Sequence, residues 1–164
     1  MQTPHRPPHV ISMPIVDDTF PRAFVDSAAP RRPHMGGAGG IIHLSSSRSI
    51  HFAVGLGVTS NNWAKFVVVN ILLRLSLALG VDKLQVIGDS LLVVYCLKDH
   101  KPSMDIFLLP YFEDIDRART HFTFLSFQHI FKEANAVVDG LSKKGVLLPV
   151  GFTDKWELSD GLMV

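Results

Sequence analysis

The stretch that decides the fold is HIFKEANAVVDGLS, which runs from residue 129 to residue 142. It joins an aromatic-rich segment, predicted as a strand over residues 122–131, to the last predicted helix, over residues 134–144. Asp139 lies inside this helix. Taken alone, Asp139 has two interpretations: a solvated helix residue, or one member of an acidic group completed by residues from elsewhere in the chain.

Outward from this stretch, hydrophobic periodicity predicts the remaining elements. Strands are predicted at residues 22–28, 41–44, 50–57 and 84–87, and helices at residues 61–79, 91–97 and 104–120, the last interrupted early by Pro110. The first three strands have short links and form an antiparallel meander. Crossover helices then lead to the later strands, so the order βββ-α-β-α-α-β-α predicts a mixed α/β (α+β) fold with helices on the faces of a mixed sheet.

Composition sets the domain organisation. The 164 residues are 47% apolar, which suits one domain of ordinary size with a real core. We expect a disordered Pro-rich leader over residues 1–20, a folded domain over residues 21–145, and a loosely ordered tail over residues 146–164. Cys96 is the only cysteine, so no intrachain disulfide and no cysteine-based zinc site can form.

Charge and hydropathy exclude several function classes. Sixteen Lys and Arg residues balance fifteen acidic ones, which argues against a basic nucleic-acid binder that relies on its total charge, although a local patch remains compatible. The longest apolar stretch, residues 66–81, includes Asn70 and Arg74 and is shorter than a membrane span. The leader has no continuous apolar segment of the kind that a secretory signal needs. We therefore expect neither secretion nor membrane insertion.

Three aspartates are placed where chemistry is common. Asp26 ends the first strand and Asp89 ends the fourth, and a right-handed crossover through helix 61–79 would make these strands neighbours. With Asp139 they would form a pocket of hard oxygens suited to Mg²⁺. Each also has a structural interpretation: Asp26 as a turn former, Asp89 as the N-cap of helix 91–97, and Asp139 as a solvated residue.

Four motifs in order give a family resemblance. They are FVD at residues 24–26 with GAGG at 37–40, SNNWAK at 60–65, IGDS at 87–90, and the stretch 129–142 quoted above. In this form and spacing, the segment 22–144 resembles the type 1 ribonuclease H domain of plant retroelements and reverse-transcriptase-like proteins. The resemblance covers about three quarters of the chain.

The resemblance implies a five-stranded mixed sheet in the order 3-2-1-4-5 with helices on both faces. It implies hydrolysis of the RNA strand of an RNA–DNA hybrid by two Mg²⁺ ions, with Mn²⁺ as an alternative. On the matching positions, Asp26, Asp89 and Asp139 would be the catalytic metal ligands. Ser60, Asn61 and Asn62 would contact the hybrid at a helix N-terminus. It further implies a monomer without a small-molecule cofactor, and a retroelement origin is compatible with the nucleus.

One residue departs from the family pattern in a way that bears on activity. Lys65 stands where the family has its catalytic Glu. Three carboxylates and one ammonium sum to −2, which balances one Mg²⁺ and not two, and an ammonium does not ligate metal. We expect Lys65 to pair with Asp26 or Asp89 in place of a metal, or alternatively to point to solvent. Hydrolysis should be strongly reduced or lost, leaving a catalytically dead nucleic-acid-binding or protein-interaction module as the alternative function.

Two further residues have open interpretations. His129 falls within the predicted strand rather than in a loop, which favours a structural role over a catalytic one. Trp63 lies inside the SNNWAK motif, where it would either stack on a base or sugar or pack against the protein surface.

Overall fold

The computed structural model describes residues 20–29, 35–99, 106–160 and 162–163. The leader predicted over residues 1–20 therefore lies outside the described residues, except for Phe20. Residues 30–34 of the first turn and residues 100–105 before the third helix also lie outside them.

A single mixed sheet forms the centre of the molecule. Its seven strands are β1 Arg22–Ala28, β2 Met35–His43, β3 Arg48–Val58, β4 Lys83–Gly88, β5 Phe124–His129, β6 Thr153–Ser159 and β7 Leu162–Met163, in the order β5-β4-β1-β2-β3-β6-β7. β1, β2 and β3 form the predicted antiparallel meander, while β4 runs parallel to β1 and β5 parallel to β4. The predicted order 3-2-1-4-5 is confirmed within the sheet, and the predicted count of five strands is wrong.

The two additional strands come from the segment predicted as a loosely ordered tail. β6 pairs antiparallel with β3 over seven residue pairs, from Arg48↔Ser159 to Val54↔Thr153. Trp156 stacks on His51 across this pairing, with the ring centroids 5.6 Å apart. Because β6 is a half-buried, largely polar strand, its sequence carries little hydrophobic signal, and it is stabilised by the β3 edge that it covers.

The GGAGG run at residues 36–40 is the second place where the structure differs from the predicted elements. Its glycines predict a lead into a strand at 41–44, but the run forms part of β2. Gly37 and Gly39 are required by the helix α4 (Ala136–Val146), which packs directly on β2. A Cβ on Gly37 would lie 2.2 Å from the Ser142 carbonyl oxygen, so close approach of the helix outweighs the poor strand propensity of glycine.

Helices cover both faces of the sheet, as predicted. α1 (Asn61–Ala78) packs on β1 and β2 and contacts α3 (Leu109–Arg119), whereas α4 packs on the other face of β1, β2 and β3. Pro110 lies in the first turn of α3, where its missing N–H costs no helical hydrogen bond. α2 (Leu91–Lys98) follows β4. None of the helices in the described part of the chain is both long and apolar enough to cross a membrane.

Candidate functional site

The candidate site lies at the carboxyl ends of β1 and β4. The two strands are parallel neighbours, and Val25 pairs with Gly88. Asp26 and Asp89 each follow one of these paired residues, so the register brings the two aspartates to the same edge of the sheet. The crossover predicted through helix 61–79 is confirmed.

Asp89 is not a helix cap. α2 is capped by Ser90, whose Oγ accepts a hydrogen bond of 3.4 Å from the Val93 N–H. The N-cap interpretation of Asp89 is therefore wrong. Asp89 instead lines a cavity together with Asp26 and Lys65.

Asp26 is a buried carboxyl group within β1, not a turn former. Only 8% of the residue is exposed, and its Oδ1 accepts a hydrogen bond of 2.8 Å from the Ser27 N–H. Burial, followed by the negative charge of Asp89 and the proximity of Asp139, raises the pKa of Asp26 to about 7. Asp26 therefore carries a proton in a large fraction of molecules at neutral pH.

Asp139 sits on the first turn of α4 and is held by a lysine one turn later. Its Oδ2 lies 2.9 Å from Nζ of Lys143. Hydrogen bonding to Lys143 lowers the pKa of Asp139, and a further hydrogen bond links Asp139 to the Asp26 carboxyl. The ionised Asp139 thus faces a lysine on one side and a largely protonated carboxyl on the other, which makes it more than a solvated helix residue.

Lys65 faces the carboxylates without pairing with them. It is half-buried on α1 and lines a cavity of about 30 Å³ with Asp26 and Asp89, so the solvent-pointing alternative is wrong. The expected ion pair is wrong as well, because no carboxylate oxygen of the described residues lies within 4.0 Å of its Nζ. The side chain of Lys65 therefore lines the cavity and stops short of either aspartate.

A second, open groove of about 390 Å³ adjoins this cavity through Ser27, which lines both. Asn61, Asp139, Lys132 and Lys143 also line the groove. Sequence reasoning missed the two lysines. The spacing of Lys143 four residues after Asp139 on one helix was the available signal.

The N-terminus of α1 carries the predicted nucleic-acid contacts. Ser60 caps the helix, because its Oγ accepts a hydrogen bond of 3.2 Å from the Trp63 N–H. This leaves the side chains of Asn61 and Asn62 exposed on the first turn. Of these, Asn61 reaches the groove, and the role of all three in binding stays a prediction.

The two aromatic residues with open interpretations both make structural contacts. Nε2 of His129 lies 3.3 Å from the backbone oxygen of Asp89, so the ring supports the end of β4. Trp63 packs edge-on against Tyr111 of α3, with 5.5 Å between ring centroids.

Comparison with known proteins now identifies the chain. Residues 24–145 match a protein family described as reverse transcriptase-like. The chain belongs to the reverse transcriptase-like family. No curated protein matches it.

Solved structures similar to this reverse transcriptase-like domain include ribonucleases H. RNase H1 from the archaeon Halobacterium salinarum matches with a TM-score of 0.71 and 21% identity, over 77% of this chain and 96% of that one. LC11-RNase H1, solved in complex with an RNA/DNA hybrid, matches with a TM-score of 0.67 and 22% identity, over 77% of this chain and 96% of that one. The N-terminal RNase H domain of Rv2228c from Mycobacterium tuberculosis was solved as a fusion with maltose-binding protein. It matches with a TM-score of 0.63 and 18% identity, over 76% of this chain and 98% of that one. The reverse transcriptase-like domain therefore has the ribonuclease H fold.

The donor set of this domain does not fit the pair of divalent cations implied by the resemblance. Within the described ranges, no three His, Cys, Asp or Glu side chains form a group that could hold a metal ion. Asp26 and Asp89 share their cavity with the ammonium of Lys65, and Asp139 is engaged by Lys143 in the adjoining groove. A site with cations built into both halves is poorly suited to bind two more.

Proposed function

We propose that this reverse transcriptase-like domain binds RNA–DNA hybrid and cleaves its RNA strand weakly or not at all. The observation that carries the proposal is the position of Lys65 in the cavity of Asp26 and Asp89, at the strand ends where the ribonuclease H fold carries its acidic site by resemblance. Asp26, Asp89 and Asp139 match three of the four acidic positions of the nuclease family by resemblance. Lys65 stands at the fourth position, where the family has a glutamate.

The proposed binding surface is the groove beside this cavity. Lys132 and Lys143 supply ammonium groups that can contact phosphates, and Asn61 supplies an amide that can donate to sugar or base oxygens. The first turn of α1 carries no acidic residue, so its exposed N–H groups favour an anion. The choice of ligand is supported by LC11-RNase H1, which was solved in complex with an RNA/DNA hybrid.

The chemistry of the carboxyl groups supports weak catalysis. Asp26, with its pKa raised to about 7 mainly by burial, must lose a proton in a large fraction of molecules at neutral pH before it can ligate a cation. Asp139 is ionised but tied to Lys143. Asp26 and Asp139 can form a hydrogen-bonded carboxyl pair beside the groove, while Lys132 and Lys143 bind the phosphate backbone of the nucleic acid.

Binding is tested by fluorescence anisotropy of a labelled RNA–DNA hybrid, with a DNA duplex of the same sequence for comparison. Lys132→Glu should weaken hybrid binding uniformly across sequences. It should also lower the slope of log affinity against log salt by about one or more, since at least one phosphate contact is lost. Lys83→Glu is the matched control, because Lys83 is exposed at the start of β4, the end of the strand away from Asp89. Equal losses in both variants would contradict the groove as the binding surface.

Hydrolysis is tested on an end-labelled hybrid with Mg²⁺ or Mn²⁺. We expect no turnover by the natural chain, and a gain of cleavage in Lys65→Glu that is absent from Lys83→Glu. Robust cleavage by the natural chain would contradict the proposed loss of catalysis. No gain in Lys65→Glu would mean that Lys65 is not the residue that limits hydrolysis.

A protein-interaction module is the second candidate function. It is favoured by exposed apolar side chains in the segment between α4 and β6, where Leu147, Val150 and Phe152 are 84%, 63% and 64% exposed. This segment lies beyond residue 145, where the family match ends. Absence of binding to hybrid, DNA duplex and single strands alike would favour this candidate over the first.

A further inference from the structure

We propose that Asn135 is a positioning residue for the groove: its side-chain amide ties the segment that carries the groove lysines and Asp139 to the backbone of β1 beside Asp26. The inference rests on the proposed function, because it concerns the residues that would bind the nucleic acid. It follows from the hydrogen bond that Asn135 donates and from the place of this residue between two helical segments.

The hydrogen bond of Asn135 joins the last part of the domain to the strand of the acidic site. Its Nδ2 lies 3.0 Å from the backbone oxygen of Val25, the residue before Asp26 in β1. Because a carbonyl oxygen can only accept, the NH₂ group of the amide must be the side that faces Val25. Only 2% of Asn135 is exposed, so this bond is shielded from solvent.

Asn135 stands at the joint between two helical segments. It ends the short 3₁₀ helix Lys132–Asn135 and directly precedes α4. Lys132 lies on the first segment, Asp139 and Lys143 lie on the second, and all three line the groove. Backbone hydrogen bonds within each segment fix these residues relative to the joint. A contact at the joint therefore fixes where both segments begin relative to β1.

The usual role of an asparagine at this position is to cap the helix, and Asn135 does not perform it. Asn135 is the N-cap residue of α4, yet its side chain makes no capping hydrogen bond. Asparagine is favoured at N-caps because its side-chain oxygen can accept from the first turn. Here the amide is directed to Val25 instead, so its contribution is to the contact between α4 and β1 rather than to the helix end.

The acidic pair is held across the same gap. A hydrogen bond links Asp139 to the Asp26 carboxyl. Asp139 lies about one turn after Asn135, and Asp26 directly follows Val25, so the two hydrogen bonds join the same two elements side by side. The bond from Asn135 joins two neutral groups, so its strength does not depend on the ionisation of either aspartate.

The second half of α4 has a separate attachment to the sheet. Backbone atoms of residues 141–146 lie so close to Gly37 and Gly39 of β2 that a Cβ on either glycine would clash with them. Loss of the bond from Asn135 should therefore release the 3₁₀ helix and the start of α4 and leave the end of α4 in place. A residue that only stabilised the whole fold would not give this local effect.

Hydrogen–deuterium exchange of the protein without nucleic acid is the first test. Asn135→Ala should speed exchange over residues 132–140 by about three- to ten-fold, as expected for one lost hydrogen bond, while β3 exchanges as in the natural chain. Ser142→Ala is the matched control, because it also removes a buried polar group, whose Oγ donates to the Asp139 carbonyl within α4. It should leave residues 132–140 unchanged.

Faster exchange throughout the protein, or no change over residues 132–140, would overturn the inference. If Asn135→Ala does not fold, Asn135→Ser takes its place. The serine hydroxyl fills part of the space but is too short to span the distance to Val25, so the same local release is expected.

Hybrid binding is the second test, measured by anisotropy over a range of salt concentrations. Asn135→Ala should weaken binding at least about five-fold and lower the slope of log affinity against log salt, because the groove lysines lose their fixed positions. Ser142→Ala should bind within about two-fold of the natural chain. Unchanged affinity and slope in Asn135→Ala would overturn the positioning role while supporting the proposed function. Absence of binding by the natural chain would contradict the proposed function, and the exchange pattern would then decide by itself whether Asn135 positions α4.

Discussion

At the scale of single residues, the buried carboxyl of Asp26 couples the site to pH. Its pKa in the folded protein is raised to about 7, mainly by burial and then by Asp89, whereas its ordinary value is 3.8. Between these two values the folded state binds more protons than the unfolded state. The contribution of Asp26 to the free energy of unfolding should therefore fall as pH rises from about 4 to 7, and this loss should be complete above that range.

Asp26→Asn should remove this penalty. The amide mimics the protonated carboxyl, because it still accepts from the Ser27 N–H and donates toward Asp139. We expect the free energy of unfolding at pH 8 to rise by as much as about 4 kcal/mol, with little change near pH 4. Urea unfolding across this range measures the effect. The exposed Asp99, changed to Asn, is the control, and a variant Asp26→Asn no more stable than the natural chain at pH 8 would contradict the burial of a charged group here.

At the scale of elements, the contact between α4 and β2 positions Asp139 over the sheet. The backbone of Ser142 and Gly145 approaches so closely that a Cβ on Gly37 would lie 2.2 Å from the Ser142 carbonyl oxygen and 2.7 Å from the Gly145 carbonyl carbon. Neither neighbour is a flexible side chain, so the helix must move to accommodate one methyl group.

Gly37→Ala should therefore destabilise the fold by about 2–4 kcal/mol. Overpacking usually costs about 1–3 kcal/mol, and a contact with rigid backbone lies in the upper part of that range or above it. Gly140→Ala is the matched control. Gly140 lies on α4 itself, and beyond the backbone of that helix nothing lies within 4 Å of the position that a Cβ would take, so alanine should stabilise the helix by about 0.5–1 kcal/mol. Chemical denaturation of both variants gives the comparison, and similar effects of the two changes would mean that α4 is not seated as closely as described.

Sequence patterns predicted the elements whose apolar residues recur periodically along the sequence and missed those stabilised by distant partners. β3 and α1 carry clear periods, and the crossover rule placed β1 beside β4. The glycine run of β2 is typical of a turn until α4 is known to lie on it. Lys132 and Lys143 could not be assigned to the groove from sequence, because the groove forms only when the fold brings Asp139 next to Asp26. The predicted pairing of Lys65 failed because charge alone says nothing about how far a side chain reaches.

At the scale of the whole molecule, β6 closes one side of the sheet beyond the family-matched region. Trp156 of β6 packs between two side chains: its ring stacks on His51, and Nζ of Lys144 lies 4.4 Å from the ring centroid. Trp156→Ala should cost about 1–3 kcal/mol, less than a fully buried tryptophan because the side chain is only partly buried. It should also raise the tendency to aggregate as the β3 edge loosens.

Thermal unfolding followed by light scattering measures both effects of Trp156→Ala. Tyr95→Ala, which truncates an aromatic residue that is 62% exposed on α2, serves as the control. If Trp156→Ala unfolds at the same temperature as the control and stays as soluble, β6 is not needed to protect the sheet.

The formal charge of the whole chain, +1, says little about binding, because the charges that decide it lie within one cavity and one groove. We predict a domain that holds an RNA–DNA hybrid and leaves it intact. One measurement tests this most directly: the natural chain is incubated in excess with an end-labelled hybrid and Mg²⁺, and each sample is divided between a native gel and a denaturing gel. We expect a shifted band on the first and full-length RNA on the second. Extensive shortening of the RNA, or no shift at any protein concentration, would contradict the prediction.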